Sequence, residues 1–311
     1  MSLAMREAFG KKLAELGDIY PEVVVLDADV SSSTKSNIFA GKYPERFFNC
    51  GVAEANMAGV AAGLATCGLR PVINAFSIFL ALKATDQIRN DICYNNLPVI
   101  IAGGYGGLSD SYDGASHQSI IDIAIMRALP NMQVIVPSDS KQTEQALEYA
   151  LQQNGPVFIR LNRNAMPELP VEKNFGKKKV IKCTDGKDIT IAANGITVSF
   201  AMEAAEKLKK SDISAEVLAV PFVKPIDMKL IELSLQKTGK LLCIEEHVLA
   251  GGFTGAVCEN LMKDHIVCDF DAIGLQDTFT ETGDYVSLLA KYRISVVNII
   301  KKAKKLYRKN K

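Results

Sequence analysis

Between Ser111 and Gln118 the chain reads Ser-Tyr-Asp-Gly-Ala-Ser-His-Gln, a segment that holds one of only 3 histidines in 311 residues. Asp113 and His117 stand four residues apart on it. A histidine beside a carboxylate is well suited to moving protons near neutral pH. Alone, the pair is equally compatible with a hydrogen-bonded turn. A second segment, Gly51-Val-Ala-Glu54-Ala-Asn-Met57, shifts the balance toward chemistry. An isolated Glu at a helix start is usually there because the helix dipole favours it. Here the following residues, Ala55 to Ala65, are small and apolar, too apolar to face water. An ionised Glu54 in that setting needs a partner that offsets its desolvation.

Both segments follow short apolar runs, and a loop after a strand is where an α/β protein carries its chemistry. The pattern predicts a helix over about 3–17, strands at Val23–Asp27 and Arg46–Asn49, and a helix at Glu54–Thr66. A strand at Arg70–Asn74, a helix at Phe79–Tyr94 and a strand at Pro98–Ala102 follow. After the histidine loop come a helix at Ser119–Ala128, the strand Gln133–Val136, the helix Ser140–Gln152 and the strand Pro156–Arg160. Repeated strand–helix units imply a parallel sheet covered on both faces. Around 164–187 periodicity fades and lysines gather, as in a linker. Alternation then resumes with strands at Ile189–Ala193, Ala215–Val220 and Leu241–Glu245, and helices at Val198–Lys210, Asp227–Gln236 and Gly252–Lys263. The expected organisation is an α/β domain over 1–165, a linker over 166–186 and a smaller α/β domain over 187–311. The Glu54–Thr66 helix should be buried all round, and a subunit interface is the favoured cover.

Composition narrows the classes. The net charge is +1, and no block of like charge precedes the Lys-rich end from Lys301 to Lys311. That argues against nucleic acid as the main partner, and the end itself reads as a solvated helix face and tail. The 7 cysteines form no CxxC pair, so no metal site is expected from them, and they read as buried thiols of a reducing compartment. The N-terminus lacks the apolar core of a signal peptide, and no apolar run approaches the roughly 20 residues that cross a bilayer. A cytoplasmic protein is the expectation.

Three segments together resemble the pyrimidine-binding half of transketolase: Gly51-Val-Ala-Glu-x-x-Met57, Arg70-Pro-Val-Ile-Asn-Ala-Phe76-Ser-Ile-Phe79, and Asp113-Gly-Ala-Ser-His117-Gln. Glu245-Glu-His-Val-Leu-Ala-Gly-Gly-Phe-Thr-Gly-Ala-Val257 resembles the start of that family's C-terminal domain, so the likeness spans essentially the whole chain. The resemblance implies a thiamine-diphosphate-binding domain followed by a transketolase C-terminal domain. The family's diphosphate-and-metal motif, Gly-Asp-Gly followed by an Asn, has no counterpart here. The chain thus resembles the C-terminal subunit of a split transketolase. Its partner would be a separate N-terminal subunit that holds Mg2+ or Ca2+ and shares the cofactor; this chain itself would hold no metal. Self-association into a dimer core, hence a heterotetramer, is also implied.

By the same resemblance, Glu54 takes the place of the carboxyl that shares a proton with the cofactor's pyrimidine, and Phe76 and Phe79 match the aromatic pocket around it. On spacing alone those two rings read more readily as core. Asp29 matches an aspartate near the cofactor, with Asp27 a close competitor. His117 matches the histidine that contacts the ketose oxygens, and Asp113 the aspartate that reads a substrate hydroxyl. Ser33 and Arg163 match positions holding the sugar's terminal phosphate, a role Arg160 could take instead. Three residues depart from the family pattern: Tyr112 before the Asp-Gly pair, Tyr105 where a second phosphate-binding histidine is common, and Leu82 in place of a pyrimidine-pocket tyrosine. They leave the sugars open. The implied activity is transfer of a two-carbon ketol unit between sugar phosphates, as in the pentose phosphate pathway. The alternatives are the β subunit of a 2-oxoacid dehydrogenase, a deoxyxylulose-phosphate-synthase-like enzyme, and a non-catalytic scaffold subunit.

Overall fold

The computed structural model describes residues 3–169, 172 and 174–308. Its strands, in chain order, are β1 (Val23–Asp27), β2 (Phe47–Asn49), β3 (Arg70–Phe76), β4 (Ile100–Gly104), β5 (Gln133–Ile135) and β6 (Val157–Arg160). β7 (Ile181–Thr184), β8 (Ile189–Ala193), β9 (Ala215–Ala219), β10 (Phe222–Lys224), β11 (Lys240–Val248) and β12 (Asp269–Leu275) follow. The first sheet runs β10-β5-β6-β4-β3-β1-β2 and is parallel except for β10. The second runs β12-β11-β8-β9-β7, parallel except at its β7 edge. The expected pair of α/β sheets is present, and β1, β3, β4, β5, β6, β8, β9 and β11 are buried along most of their length, as helix-covered parallel strands should be. In the first sheet the chain leaves β1 toward β2 on one side and β3 on the other. Their shared carboxyl edge is therefore a topological switch point.

Several boundaries differ from the sequence reading for local reasons. β3 runs on to Phe76, and the helix expected from Phe79 starts at Ser77. That helix breaks after Lys83 into a short turn and a π-helical segment, Ile88–Cys93. The Thr85 hydroxyl donates to the Ala81 carbonyl, a back-bond that competes with the helical ladder. The helix expected from Ser119 starts at Asp122, because Ser119 pairs with Gly106 and Gly107 instead. Within the stretch read as a linker, Ile181–Thr184 forms β7; residues 170, 171 and 173 lie outside the described set. β10 was not foreseen, since it crosses from the second half of the chain to pair antiparallel with β5. Nor were β12 and the helix Tyr285–Lys291, whereas the helix Val296–Arg308 begins five residues before the Lys-rich end where a solvated helix face was expected. The last of these buries Ile299, Ala303 and Leu306, so the lysines from 301 onward lie on a packed helix; Lys309 to Lys311 fall outside the described residues.

Within one chain the Glu54–Thr66 helix is covered on one side: Met57, Ala58, Ala61, Ala62 and Ala65 face the core, while Val60 and Gly63 on the opposite side are exposed, the side left for the expected subunit interface. One expectation needs correction. The cysteines are not uniformly buried: only Cys93 and Cys243 are, and Cys67 is exposed where the helix ends in a surface turn before Gly68.

The two halves meet at a buried polar junction. Arg160 Nε donates to both Asp122 carboxylate oxygens, at 3.1 and 2.8 Å, and Nη2 to the Ser119 and Glu246 carbonyls. Both side chains are buried. Burial works to raise the Asp122 carboxyl, but Arg160 and His247 carry it below the ordinary range. Removing one partner strands the other charge. Arg160→Met should therefore cost about 3–5 kcal/mol of stability. The joint change Arg160→Met, Asp122→Leu should recover much of that loss. Urea unfolding at pH 7 checks both, and a single variant as stable as the parent would refute the junction's role.

Candidate active site

Glu54 opens its helix behind a turn at Gly51, where φ is +69°, a backbone that suits glycine. The residue is 4% exposed. No side chain caps this helix, and Glu54 is the acidic residue of its first turn, where the helix dipole favours a negative charge. The partner that a buried Glu54 requires is Lys83, whose Nζ lies 3.4 Å from Glu54 Oε1. The same ammonium sits 3.9 Å from the centre of the Phe79 ring. Glu54 and Phe79 thus flank one half-exposed ammonium.

The end of β3 delivers Phe76, and the next helix delivers Phe79. The two rings stack at 5.8 Å, Tyr105 lies 4.4 Å from Phe76, and His117 stands edge-on to Phe79 at 5.1 Å. Phe76 and Phe79 are only half-buried. They form a partly exposed aromatic wall rather than core, with His117 against Phe79 and, on Phe79's other contact, the Lys83 ammonium that pairs with Glu54.

His117 is held by a loop that starts under strain. Tyr105 follows β4 with φ +59°, a conformation that bulky residues rarely adopt. Its hydroxyl accepts from Arg6 Nη1 at 2.6 Å, and the Gly106 amide donates to Leu161 O at 2.9 Å. The loop base is then clasped from the second domain. Glu246 accepts from the Leu108 amide (2.8 Å), the Tyr285 hydroxyl (2.9 Å) and Asn162 Nδ2 (3.2 Å). Burial, opposed mainly by Arg160, pushes the Glu246 carboxyl up to about 7. A Cβ at Gly107 would lie 2.3 Å from this carboxyl carbon, so the clasp requires glycine there. Beyond it, the His117 amide donates to Gly114 O at 3.0 Å, and His117 Nδ1 sits 2.9 Å from Ser116 Oγ. That leaves Nε2 for a ligand. Asp113 is exposed on the same loop.

A basic corner adjoins the wall. Arg6 donates to the Ser33 carbonyl at 3.1 Å, and the Arg6 and Arg163 guanidinium carbons lie 5.6 and 5.3 Å from the Tyr105 ring centre. Ser33, Arg6 and Arg163 therefore gather around Tyr105. Arg160 is committed to the buried junction, whereas Arg163 is partly exposed, with Nη1 3.8 Å from Asp110 Oδ1. Asp29 is exposed, has φ +65°, and accepts from Asn49 Nδ2 at 2.8 Å. Its competitor Asp27 is fully buried and accepts from Thr34 Oγ1, Ser36 Oγ and the Val30 amide, a structural assignment. Leu82 and Tyr112 are exposed at 56% and 66%.

Sequence reasoning missed Arg6 and Glu246. Arg6 stands 27 residues before Ser33 on a separate helix, and only the fold joins them. Glu246 was in a quoted motif, yet nothing local showed that it reaches back to Leu108.

The arrangement fits a flat heteroaromatic ring. The aromatic wall offers it a face, and a buried carboxyl backed by a helix N-terminus offers a proton-sharing partner. Arg6, Arg163 and Ser33 fit an anion further along. Among the described residues, no group of three or more His, Cys, Asp or Glu side chains is placed to hold a metal ion. No described helix is long and apolar enough to cross a membrane.

Comparison with known proteins gives the family and the fold. A model of the transketolase pyrimidine-binding domain matches residues 1–168, and one of the transketolase C-terminal domain matches 177–299. A relative from Methanocaldococcus jannaschii, assigned provisionally as a transketolase C-terminal section, is 41% identical over 303 residues, covering 96% of this chain and 94% of its own. A 1-deoxy-D-xylulose-5-phosphate synthase of Desulforudis audaxviator is 35% identical over 313 residues, 99% of this chain but 49% of the synthase. Among solved structures, a split-gene transketolase described as an inactive β4 tetramer superposes with a TM-score of 0.88 at 41% identity, covering 99% of both chains. A Pichia stipitis transketolase shares the fold, with a TM-score of 0.83 at 21% identity; this chain spans 46% of it.

Proposed function

This chain belongs to the transketolase family, and we propose that it is the C-terminal subunit of a split transketolase, moving a two-carbon ketol unit between sugar phosphates together with a separate N-terminal subunit. The observation that carries the reading is the chain of contacts that joins Glu54 through Lys83 to the Phe76–Phe79 wall and His117, and that wall through Tyr105 to Arg6 and Arg163. High coverage of a C-terminal section and of a split-gene subunit supports the division into two chains. The latter's description as inactive matches a subunit that holds only part of a site.

Thiamine diphosphate, when bound, supplies an acidic thiazolium carbon that can accept and pass on a ketol unit. In this reading Glu54 holds a proton between its carboxylate oxygen and the pyrimidine, Phe76 and Phe79 hold the ring, and Asp29 lies nearby. The metal and diphosphate belong to the partner subunit. His117 moves protons at Nε2 to and from hydroxyls of the reacting carbons. Asp113 accepts a hydrogen bond from a sugar hydroxyl, and Arg163, Ser33 and Arg6 hold the terminal phosphate. The exposed apolar side of the Glu54–Thr66 helix suits a subunit contact, consistent with a two-plus-two assembly.

The 35% identity to deoxyxylulose-phosphate synthase favours one other reading, in which the donor is a 2-oxoacid. An assay of the reconstituted pair separates the two. We expect cofactor-dependent turnover with a ketose phosphate donor and an aldose phosphate acceptor, and none when pyruvate replaces the ketose. The opposite pattern would assign the synthase reaction, and turnover of neither would leave a scaffold.

A further inference from the structure

The last residue of the histidine motif, Gln118, has no part in the reaction above. It follows His117 directly and is 1% exposed, and a buried side-chain amide needs partners at both its oxygen and its nitrogen. The second domain supplies both. Gln118 Nε2 donates to the Glu281 carbonyl at 3.0 Å, and the buried Thr280 hydroxyl donates to Gln118 Oε1. The same short segment, between β12 and the helix Tyr285–Lys291, meets the loop at two further points. The Gly283 amide donates to the Ser111 carbonyl at 3.0 Å, and a Cβ at Gly114 would lie 2.6 Å from Thr282 Oγ1. Gly114 O accepts from both the His117 and Gln118 amides, at 3.0 and 3.1 Å, so the turn that presents His117 packs against Thr282. Residues 280–283 are themselves fixed within the second domain. The Glu281 amide donates to the Tyr292 hydroxyl at 3.0 Å, and Asp284 caps the next helix by accepting from the Ser287 amide at 3.0 Å. Both flanks of the histidine turn, Ser111 before it and Gln118 after it, are thus bonded to one strap of the other domain.

We infer that Gln118 is a positioning residue for His117: through its side-chain amide, the Thr280–Gly283 segment of the second domain sets where the imidazole stands against Phe79. The catalytic consequence rests on the role given to His117 above, though the geometry does not. The imidazole bonds to Ser116, which is exposed, so the backbone carrying it must be held from elsewhere. Gln118 holds it, because moving His117 would break two hydrogen bonds where water does not replace them.

Two measurements test this. The chain has 3 histidines, and ring 13C–1H correlations of the labelled full chain report on each, the His117 signal being the one lost in His117→Ala. In Gln118→Ala and in Thr280→Val that signal should leave its parent position while those of His247 and His265 stay. Thr280→Ser restores the donor and should return it. If Gln118→Ala does not fold, the milder Thr280→Val decides. An unmoved His117 signal, an equal movement of all the histidines, or no recovery in Thr280→Ser would overturn the inference. In the reconstituted pair, Gln118→Ala should lower kcat with a ketose phosphate about 10- to 100-fold, as a misplaced reacting group does, with cofactor affinity kept. Thr280→Val should lower it less, and the double variant should be no worse than Gln118→Ala. Parent kcat with a raised KM would overturn the positioning role. Should the parent pair turn over no ketose phosphate, the functional reading fails, and the His117 signal still decides the positioning.

Discussion

Replacing Glu54 by Ala should lower turnover of the reconstituted pair by on the order of 10²–10⁴-fold, the range that a positioned proton-sharing group contributes. The carboxylate is buried at an uncapped helix start, and its cation is a lysine whose other contact is the face of Phe79. In Glu54→Ala that lysine loses its carboxylate but remains half-exposed to water, so the fold should lose less than about 1 kcal/mol. Activity and stability should therefore separate. Glu54→Gln preserves shape and removes the shared proton, and its activity should fall nearly as far. Steady-state kinetics with cofactor titration checks both variants, and turnover close to the parent in either would refute the proposed role.

His117→Ala should depress kcat by a similar factor, on the order of 10²–10³-fold, with cofactor affinity little changed. The imidazole packs edge-on against Phe79 and Phe76, and Ser116 Oγ engages Nδ1, so the ring's orientation is set before a ligand arrives. The aromatic wall would survive its removal, because Phe76 is also braced by Tyr105. A variant that binds the cofactor poorly but retains kcat when saturated would instead make His117 part of the cofactor pocket.

The sequence made the pieces of this site legible one at a time. Glu54 was marked by its apolar helix and Asp113 and His117 by a scarce histidine on a loop, whereas Phe76 and Phe79 stood out only through the family resemblance, their spacing alone reading as core. Strand–helix alternation was enough to place all of them at the carboxyl edge of a parallel sheet. Contacts between distant segments were not legible. Lys83 as the partner of Glu54, Arg6 beside Ser33, and Glu246 reaching back to Leu108 depend on how elements pack, and no local period encodes that. Burial separates Arg163 from Arg160, since Arg160 ends a strand and carries the domain junction while Arg163 follows the strand and stays partly exposed. The missed strand β10 has the same origin, because three residues of the second half find their partner in the first sheet.

The central claim is that this chain supplies one wall of a site completed by another polypeptide. The most direct test is thiamine-diphosphate-dependent turnover of a ketose phosphate by the purified chain, measured with and without an equimolar N-terminal subunit carrying the Gly-Asp-Gly motif. The account predicts no turnover by the chain alone and saturable, cofactor-dependent turnover once the second chain is added. Cofactor-dependent turnover by the purified chain alone would contradict it.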